Sequence, residues 1–267
     1  MKILIRGAGD IASGIALRLH RAGMQVVMTD LPAPTAIRRT VCFSQAILLG
    51  EMTVEDVTAR RADSVEEAES LLRRGLIPVL ADPDCACRAQ LRPDALVDAI
   101  LAKRNLGTKI DDAPVVVGIG PGFTAGEDCH AVVETMRGHT LGRVIYRGSA
   151  LPNTNIPGLI GGYAGERVLR APADGILCQK LEIGAVVRAG DIAGEVDGEL
   201  MKCTIDGVLR GILADGTPVF KGMKSGDVDP RCKPEYCTTA SDKALAVGGG
   251  VLEAVLNLSG ALRSVSL

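Results

Sequence analysis

The residues with the clearest chemical meaning stand near the start of the chain, where Gly7-Ala8-Gly9-Asp10-Ile11-Ala12 matches G-x-G-x-x-A and Asp30 follows twenty-one residues after Gly9. Each position answers a steric or electrostatic need. A glycine at 7 permits a tight turn, a glycine at 9 lets backbone N–H groups approach a pyrophosphate, and small Ala12 lets a helix pack close to its strand. Asp10, Ala12 and Ser13 line the first turn of that helix, where amides and the helix dipole favour an anion. A carboxylate at Asp30 is placed to accept hydrogen bonds from ribose hydroxyls, and its charge selects against a 2′-phosphate. The implied chemistry is binding of a nucleotide or an NAD-like dinucleotide. The same pattern also fits a Rossmann scaffold that has lost its ligand.

A second constellation lies at 119–130 (IGPGFTAGEDCH), after the apolar run Val115–Gly118. Gly120, Gly122, Thr124, Ala125 and Gly126 form a loop whose exposed amides suit a phosphate or another anion. The loop also gathers Glu127, Asp128, Cys129 and His130. Cys129 as thiolate with His130 beside it is the candidate catalytic pair, although adjacent residues on a strand face opposite ways; a purely structural turn is the alternative. Among the eight cysteines, Cys85 and Cys87 form a C-x-C without a second pair at zinc-ligand spacing, so they read as solvent-facing thiols, and no metal site is expected. Cys232 and Cys237 would need outside ligands to hold a metal. Arg38 and Arg39 are near enough to the expected ribose edge to touch a phosphate, or are ordinary surface arginines.

These residues require elements in a fixed order. Lys2–Arg6 reads as a strand, 11–22 as a helix ending at Gly23, and 25–29 as a second strand closed by Asp30. A capped helix over 64–74, a strand over 76–81 and an apolar run over 95–101 continue as βα steps of an open, mostly parallel sheet. The stretch from about 170 to 230 differs. Asp174-Gly175, Leu181, Gly184, Val187 and Gly190 recur 32 residues later as Asp206-Gly207, Leu213, Gly216, Val219 and Gly222. Short duplicated strands with G-x-x-V-x-x-G turns are the pattern of a barrel-sandwich hybrid of the biotinyl or lipoyl type. Lys202 does not fit a carrier lysine, because the turn signal is Asp197-Gly198, four residues earlier. Ser241–Leu262 reads as two helical pieces interrupted by Gly248-Gly249-Gly250. The expected class is therefore α/β: a Rossmann-like domain over 1–162, a β-rich duplicated module over 163–232, and a helical tail over 233–267 packed on the Rossmann sheet.

Composition narrows the partners. Thirty Lys and Arg nearly balance 32 Asp and Glu, and Trp is absent with three Phe and three Tyr, which argues against nucleic acid. The N-terminal apolar run is broken by Arg6 and Asp10, too early for a signal peptide or a span, so a cytoplasmic protein with no membrane partner is expected.

Five strings carry a family resemblance: IRGAGDIASGIALRLHRAG (5–23), LVDAILAKRNLGT (96–108), GIGPGFTAGEDCHAVVETMRGH (118–139), GDVDPR (226–231) and SDKALAVGGGVLEAV (241–255). They resemble the YqeB family, accessory proteins associated with selenium-dependent molybdenum hydroxylases, itself similar to the Rossmann half of the XdhC/CoxI maturation factors. The resemblance implies a role in sulfuration, selenation or delivery of the molybdenum cofactor, with a nucleotide or molybdopterin as ligand, and a molybdenum hydroxylase or a selenium or sulfur donor as partner. It marks Gly7, Gly9, Asp10, Asp98, Lys103, Asn105, the 120–130 loop and Asp229–Arg231 as motif positions; in a maturation role Cys129 would be the candidate sulfur or selenium handler. Two other readings stay open: an NAD-dependent oxidoreductase using a histidine or Lys103 for proton transfer, and a non-catalytic scaffold whose duplicated module docks a partner. A homo-oligomer is compatible with all three.

Overall fold

The computed structural model describes residues 1–262. By contacts the chain divides into two units, one of residues 1–34, 43–153 and 240 onward, the other of residues 35–42 and 154–239.

The first unit is built on a nine-stranded sheet. Its strands are β1 (Lys2–Arg6), β2 (Gln25–Asp30), β3 (Glu51–Val54), β4 (Val57–Ala62), β5 (Ile77–Ala81), β6 (Ala95–Asp98), β7 (Val115–Ile119), β9 (Ala131–Val133) and β10 (Val144–Ile145); β8 (Thr124–Ala125) pairs separately with β11 (Gly148–Ser149). The core of the sheet runs β9-β7-β6-β1-β2-β5, all parallel, with β10 and the β4–β3 hairpin at its edges. Central strands buried on both faces must be apolar throughout, and Ile3, Leu4 and Ile5 of β1 are completely buried. The helices are α1 (Asp10–Arg21), α2 (Gln45–Leu49), α3 (Val65–Arg73), α4 (Arg88–Leu91) and α5 (Asp242–Ser259). Ser64 caps α3 by accepting the Glu67 N–H at 3.2 Å, as its position before an amphipathic run demands. The steps are not all βα, however: residues 99–114 join β6 to β7 without a helix.

The tail forms one helix rather than two pieces. Ser241 caps it, α5 runs unbroken through the three glycines, and Gly260 closes it in the left-handed conformation. Two of the glycines are needed for close approach. Gly248 lies on the Gly14 carbonyl and the Arg18 side chain, and Gly250 on the Gly142 carbonyl. Their cost in helix propensity is offset by contact that no side chain would permit.

The second unit holds β12 (Val168–Arg170), β13 (Gly175–Gln179), β14 (Val186–Val187), β15 (Ile192–Val196), β16 (Glu199–Lys202), β17 (Gly207–Ile212), β18 (Pro218–Val219) and β19 (Lys224–Asp229) in two four-stranded sheets, β12-β19-β17-β14 and β16-β15-β13-β18. The 32-residue repeat maps β13, β14 and β15 onto β17, β18 and β19. The copies exchange strands: β14 pairs with β17, and β18 with β13. Leu177, Leu209, Ile212 and Val228 are buried in the shared core. Asp197 and Gly198 have φ of +50° and +81°, a type I′ hairpin between β15 and β16, so Lys202 ends a strand and does not tip the turn. Arg38 and Arg39 belong to this unit. Arg38 donates to the Tyr236 and Thr239 carbonyls, and Arg39 to the Ile212 carbonyl and Gln179 Oε1. They are structural arginines, not phosphate ligands at a ribose edge.

Candidate functional site

In an open parallel sheet a ligand crevice forms beyond the carboxyl ends of the strands, where the connections change direction. Here the chain leaves β1 for β2 on one side and later returns to β6 on the other, so the switch lies between β1 and β6. The glycine turn stands at that point. Gly7 has φ +103°, and a Cβ there would lie 3.0 Å from the Ala99 carbonyl group beyond β6, so both the turn and the packing require glycine. Gly9 precedes α1 in an extended conformation without a side-chain cap, and a Cβ on it would meet nothing within 4 Å. Ala12 and Ser13 are buried, and Ser13 Oγ accepts the Phe43 N–H and donates to the Ala8 carbonyl, fixing the turn from behind.

Asp30 ends β2 on the same edge. Its carboxylate accepts the Ala8 N–H and the Leu31 N–H, each at 2.7 Å. Burial pushes its acidity weaker than an ordinary aspartate, against the pull of those two amides. One backbone donor on each oxygen leaves lone pairs for further donors such as ribose hydroxyls.

The 119–130 loop is largely self-satisfied. Asp128 accepts the Thr124 N–H at 2.8 Å and the Asn105 side chain at 3.1 Å; the Gly126 N–H goes to the Cys129 carbonyl, and the Gly120 N–H to the Val133 carbonyl. Ala125 pairs with Gly148 in the β8–β11 ribbon. Gly120 packs on Thr135 Oγ1 and Gly122 on the backbone of Lys103 and Arg104. Gly7 and Gly122 thus abut opposite ends of one segment, 99–104, but few amides of the second loop are free to receive a phosphate. Cys129 is completely buried, its thiol pushed up to about 11 chiefly by burial. Its Sγ faces the Thr124 carbonyl, while His130 Nδ1 accepts the Val116 N–H. The two side chains are engaged with different partners and make no catalytic pair in this arrangement.

Other motif positions also have structural work. Asp98 is buried between the Thr108 hydroxyl at 2.6 Å and the Arg6 guanidinium at 3.4 Å. Asn105 Oδ1 accepts the Gly107 and Thr108 N–H groups. In the second unit Asp229, almost fully buried, accepts two hydrogen bonds from the Arg231 guanidinium and pairs with Arg210.

One residue at the edge escaped the sequence reading. α1 and α5 run parallel in contact, Gly14 beside Ala244 and Arg18 beside Gly248, so their N-termini emerge together. Lys243 sits in the first turn of α5. Burial above all, then the charges of Arg137 and Lys103, holds its ammonium below the usual lysine range, although Asp10 and Glu134 pull the other way. The two helix N-termini and the Lys243 ammonium favour an anion at this edge, while Arg137 is held by Asp242 in a bidentate ion pair at 2.8 and 3.0 Å. The available signal was a lysine where a helix dipole disfavours one.

The strand order, the glycine turn at the switch point and the acid ending β2 define a Rossmann-type α/β protein carrying, in addition, a β-rich duplicated unit. Over 256 residues, 96% of this chain, the sequence is 54% identical to Uncharacterized protein YqeB of Escherichia coli (strain K12), which supports its membership of the YqeB family. The chain spans about half the length of that relative, the match covering 47% of it. No family model and no solved structure matches the chain. Among the described residues no helix is long and apolar enough to cross a membrane.

Proposed function

We propose that this chain is a cytoplasmic accessory protein for maturation of the cofactor of selenium-dependent molybdenum hydroxylases, binding a nucleotide or pterin-phosphate ligand where α1 begins. The maturation role rests on the YqeB resemblance, and the relation to XdhC/CoxI factors belongs to the same proposal. One observation carries the ligand reading: Gly9 leads into α1 without a side-chain cap at the switch point of a parallel sheet, with Asp30 and Lys243 on the same edge. A phosphate there would accept the α1 amides, Lys243 would supply charge, and Asp30 would hold a hydroxyl of the sugar or of a comparable group. The hydroxylase, or the donor of sulfur or selenium, is the proposed partner.

Calorimetric titration with NAD, with adenine mononucleotides and with molybdopterin tests the site. Saturable heat with one of them, lost in Gly9→Val, is expected. No heat with any of the three overturns the ligand reading. Loss of hydroxylase activity on deletion of the gene, in cells that make that enzyme, tests the maturation role separately.

A further inference from the structure

At the carboxyl ends of β1, β5 and β6 the first unit holds a cavity of about 190 Å³, on the face of the sheet that α3 and α4 cover. Leu4 and Leu96 on that face pack with Leu71 and Leu72 of α3 and Leu91 of α4, and no residue of α1 or α5 belongs to their cluster. Alternation along β1 puts Arg6 on the same face as Leu4. Arg6 borders the cavity on one side and Asp84, Cys85 and Arg88 on the turn after β5, while Leu96 and Leu106 supply its apolar wall. Cys85 is not the solvent-facing thiol its sequence suggests. It is 2% exposed, Cys87 is half-buried, and Asp82 fixes their turn by accepting the Cys87 N–H at 2.8 Å.

The polar groups around the cavity are unevenly satisfied. Arg6, itself buried, directs Nε to the Pro83 carbonyl and Nη1 to the Leu106 carbonyl and the Thr108 hydroxyl, both at 3.1 Å, and Asp98 balances its charge. Arg88 gives Nε to Asp112 at 3.1 Å and Nη1 to the Cys85 carbonyl at 3.1 Å. The Arg88 Nη2 group makes no hydrogen bond among the described residues, and at Arg6 the Pro83 carbonyl takes only one of the Nη2 hydrogens. Asp84 borders the same space with a carboxylate that has neither a hydrogen bond nor an ion pair among the described residues. A guest therefore meets guanidinium N–H donors beside one uncompensated carboxylate.

We propose that this cavity binds a free α-amino acid with a short side chain, its carboxylate on the Nη2 groups of Arg88 and Arg6 and its ammonium on Asp84. A bare anion fits poorly, because each guanidinium already has a carboxylate partner, Asp98 or Asp112, and Asp84 adds a third negative charge. A bare cation leaves the arginine donors without acceptors. A zwitterion answers both needs. An α-amino acid carries its two charges one carbon apart, which suits Arg88 and Asp84, where Arg88 Nη1 lies 3.5 Å from the Asp84 carbonyl oxygen. The volume equals the share of roughly six waters, room for a molecule of about nine non-hydrogen atoms or fewer, such as valine, leucine or cysteine. Leu96, Leu106 and the soft Cys85 thiol receive the side chain. This site is independent of the nucleotide or pterin ligand proposed at the start of α1.

The test is calorimetric titration of the full, reduced chain with L-valine, L-leucine and L-cysteine. Saturable heat is expected, and the tightest of the three is then compared with its N-acetyl derivative, which lacks the ammonium, and its amide, which lacks the carboxylate. Each derivative should bind at least about tenfold more weakly, the scale of one lost hydrogen bond to a charged group. Asp84→Asn, a conservative change at an exposed position, should weaken the amino acid at least about tenfold while leaving the N-acetyl derivative within about threefold of its parent affinity. No saturable heat with any of the three up to about 10 mM overturns the proposal. So does acetate or sulfate binding as tightly as the amino acid, equal affinity for the N-acetyl derivative, or unchanged binding in Asp84→Asn. None of these titrations contains nucleotide or pterin, so failure here and failure of the ligand reading are separable.

Discussion

Lys243 stands where helix electrostatics disfavour it, in the first turn of α5 beside Lys103 and Arg137. Its native pKa lies below the ordinary lysine value of 10.5, so the folded protein holds that proton less tightly than the unfolded chain. Lys243 therefore subtracts from stability at neutral pH, and the penalty fades as pH climbs from its lowered native value towards 10.5. Lys243→Met is expected to raise Tm at pH 7, with the gain shrinking as pH rises from the lowered native value towards 10.5, while weakening an anionic ligand about tenfold, the order of a helix-terminus charge interaction. Scanning calorimetry against pH together with the ligand titration checks both halves. Asp30 makes the opposite case in an acid. Burial raises it, so its ionised form costs stability above the ordinary value of 3.8, and the cost is relieved as pH falls through the raised native value. Asp30→Asn should leave Tm within about 2 °C at pH 7, because it removes a buried charge while keeping an oxygen for one amide, yet weaken a ribose ligand about tenfold or more. Asp30 and the glycines were legible because their spacing states their geometry. Cys129 was not, because loop composition does not reveal that Asp128 and neighbouring carbonyls consume the amides and that the thiol turns inward.

At the scale of elements, α5 shows how a local propensity misleads. Three consecutive glycines read as a break, but the pairing of α5 with α1 and with the 142 turn makes two of them obligatory. Gly250→Ala, whose Cβ would strike the Gly142 carbonyl, should cost about 2–4 kcal/mol. Gly249→Ala points to open space and should instead stabilise by about 0.5–1 kcal/mol, the helix-propensity difference. Urea unfolding of the two variants decides whether the stripe is a packing device; destabilisation by both would mean that it is not. The strands β1, β2, β5, β6 and β7 were readable from unbroken apolar runs and terminal glycines. The β3–β4 hairpin was missed because its turn, Glu55-Asp56, lacks the glycine that advertises such turns, and Glu55 itself takes the left-handed conformation at φ +56°. The apolar run over 95–101 is followed by no helix, because Asp98, Asn105 and Thr108 tie residues 99–108 into a hydrogen-bonded loop.

For the molecule as a whole, the sequence announced two kinds of structure, one by a glycine fingerprint and one by a 32-residue period. The period carries a further physical consequence in the strand exchange. Since β14 of the first copy completes the sheet of β17, and β18 of the second completes that of β13, neither copy can close its own core. Val187 and Val219, equivalent in the repeat and both buried, sit on those exchanged strands. Truncating either to alanine removes about two buried methyl groups' worth of apolar contact, about 1.6 kcal/mol by transfer alone. Because both act on one shared core, Val187→Ala and Val219→Ala are each expected to loosen both copies together. Hydrogen exchange in either variant should show amides of β13 and β17 losing protection in parallel. Loss confined to the copy that carries the substitution would mean that the repeats fold as separate pieces, and the duplicated unit would then be two modules rather than one.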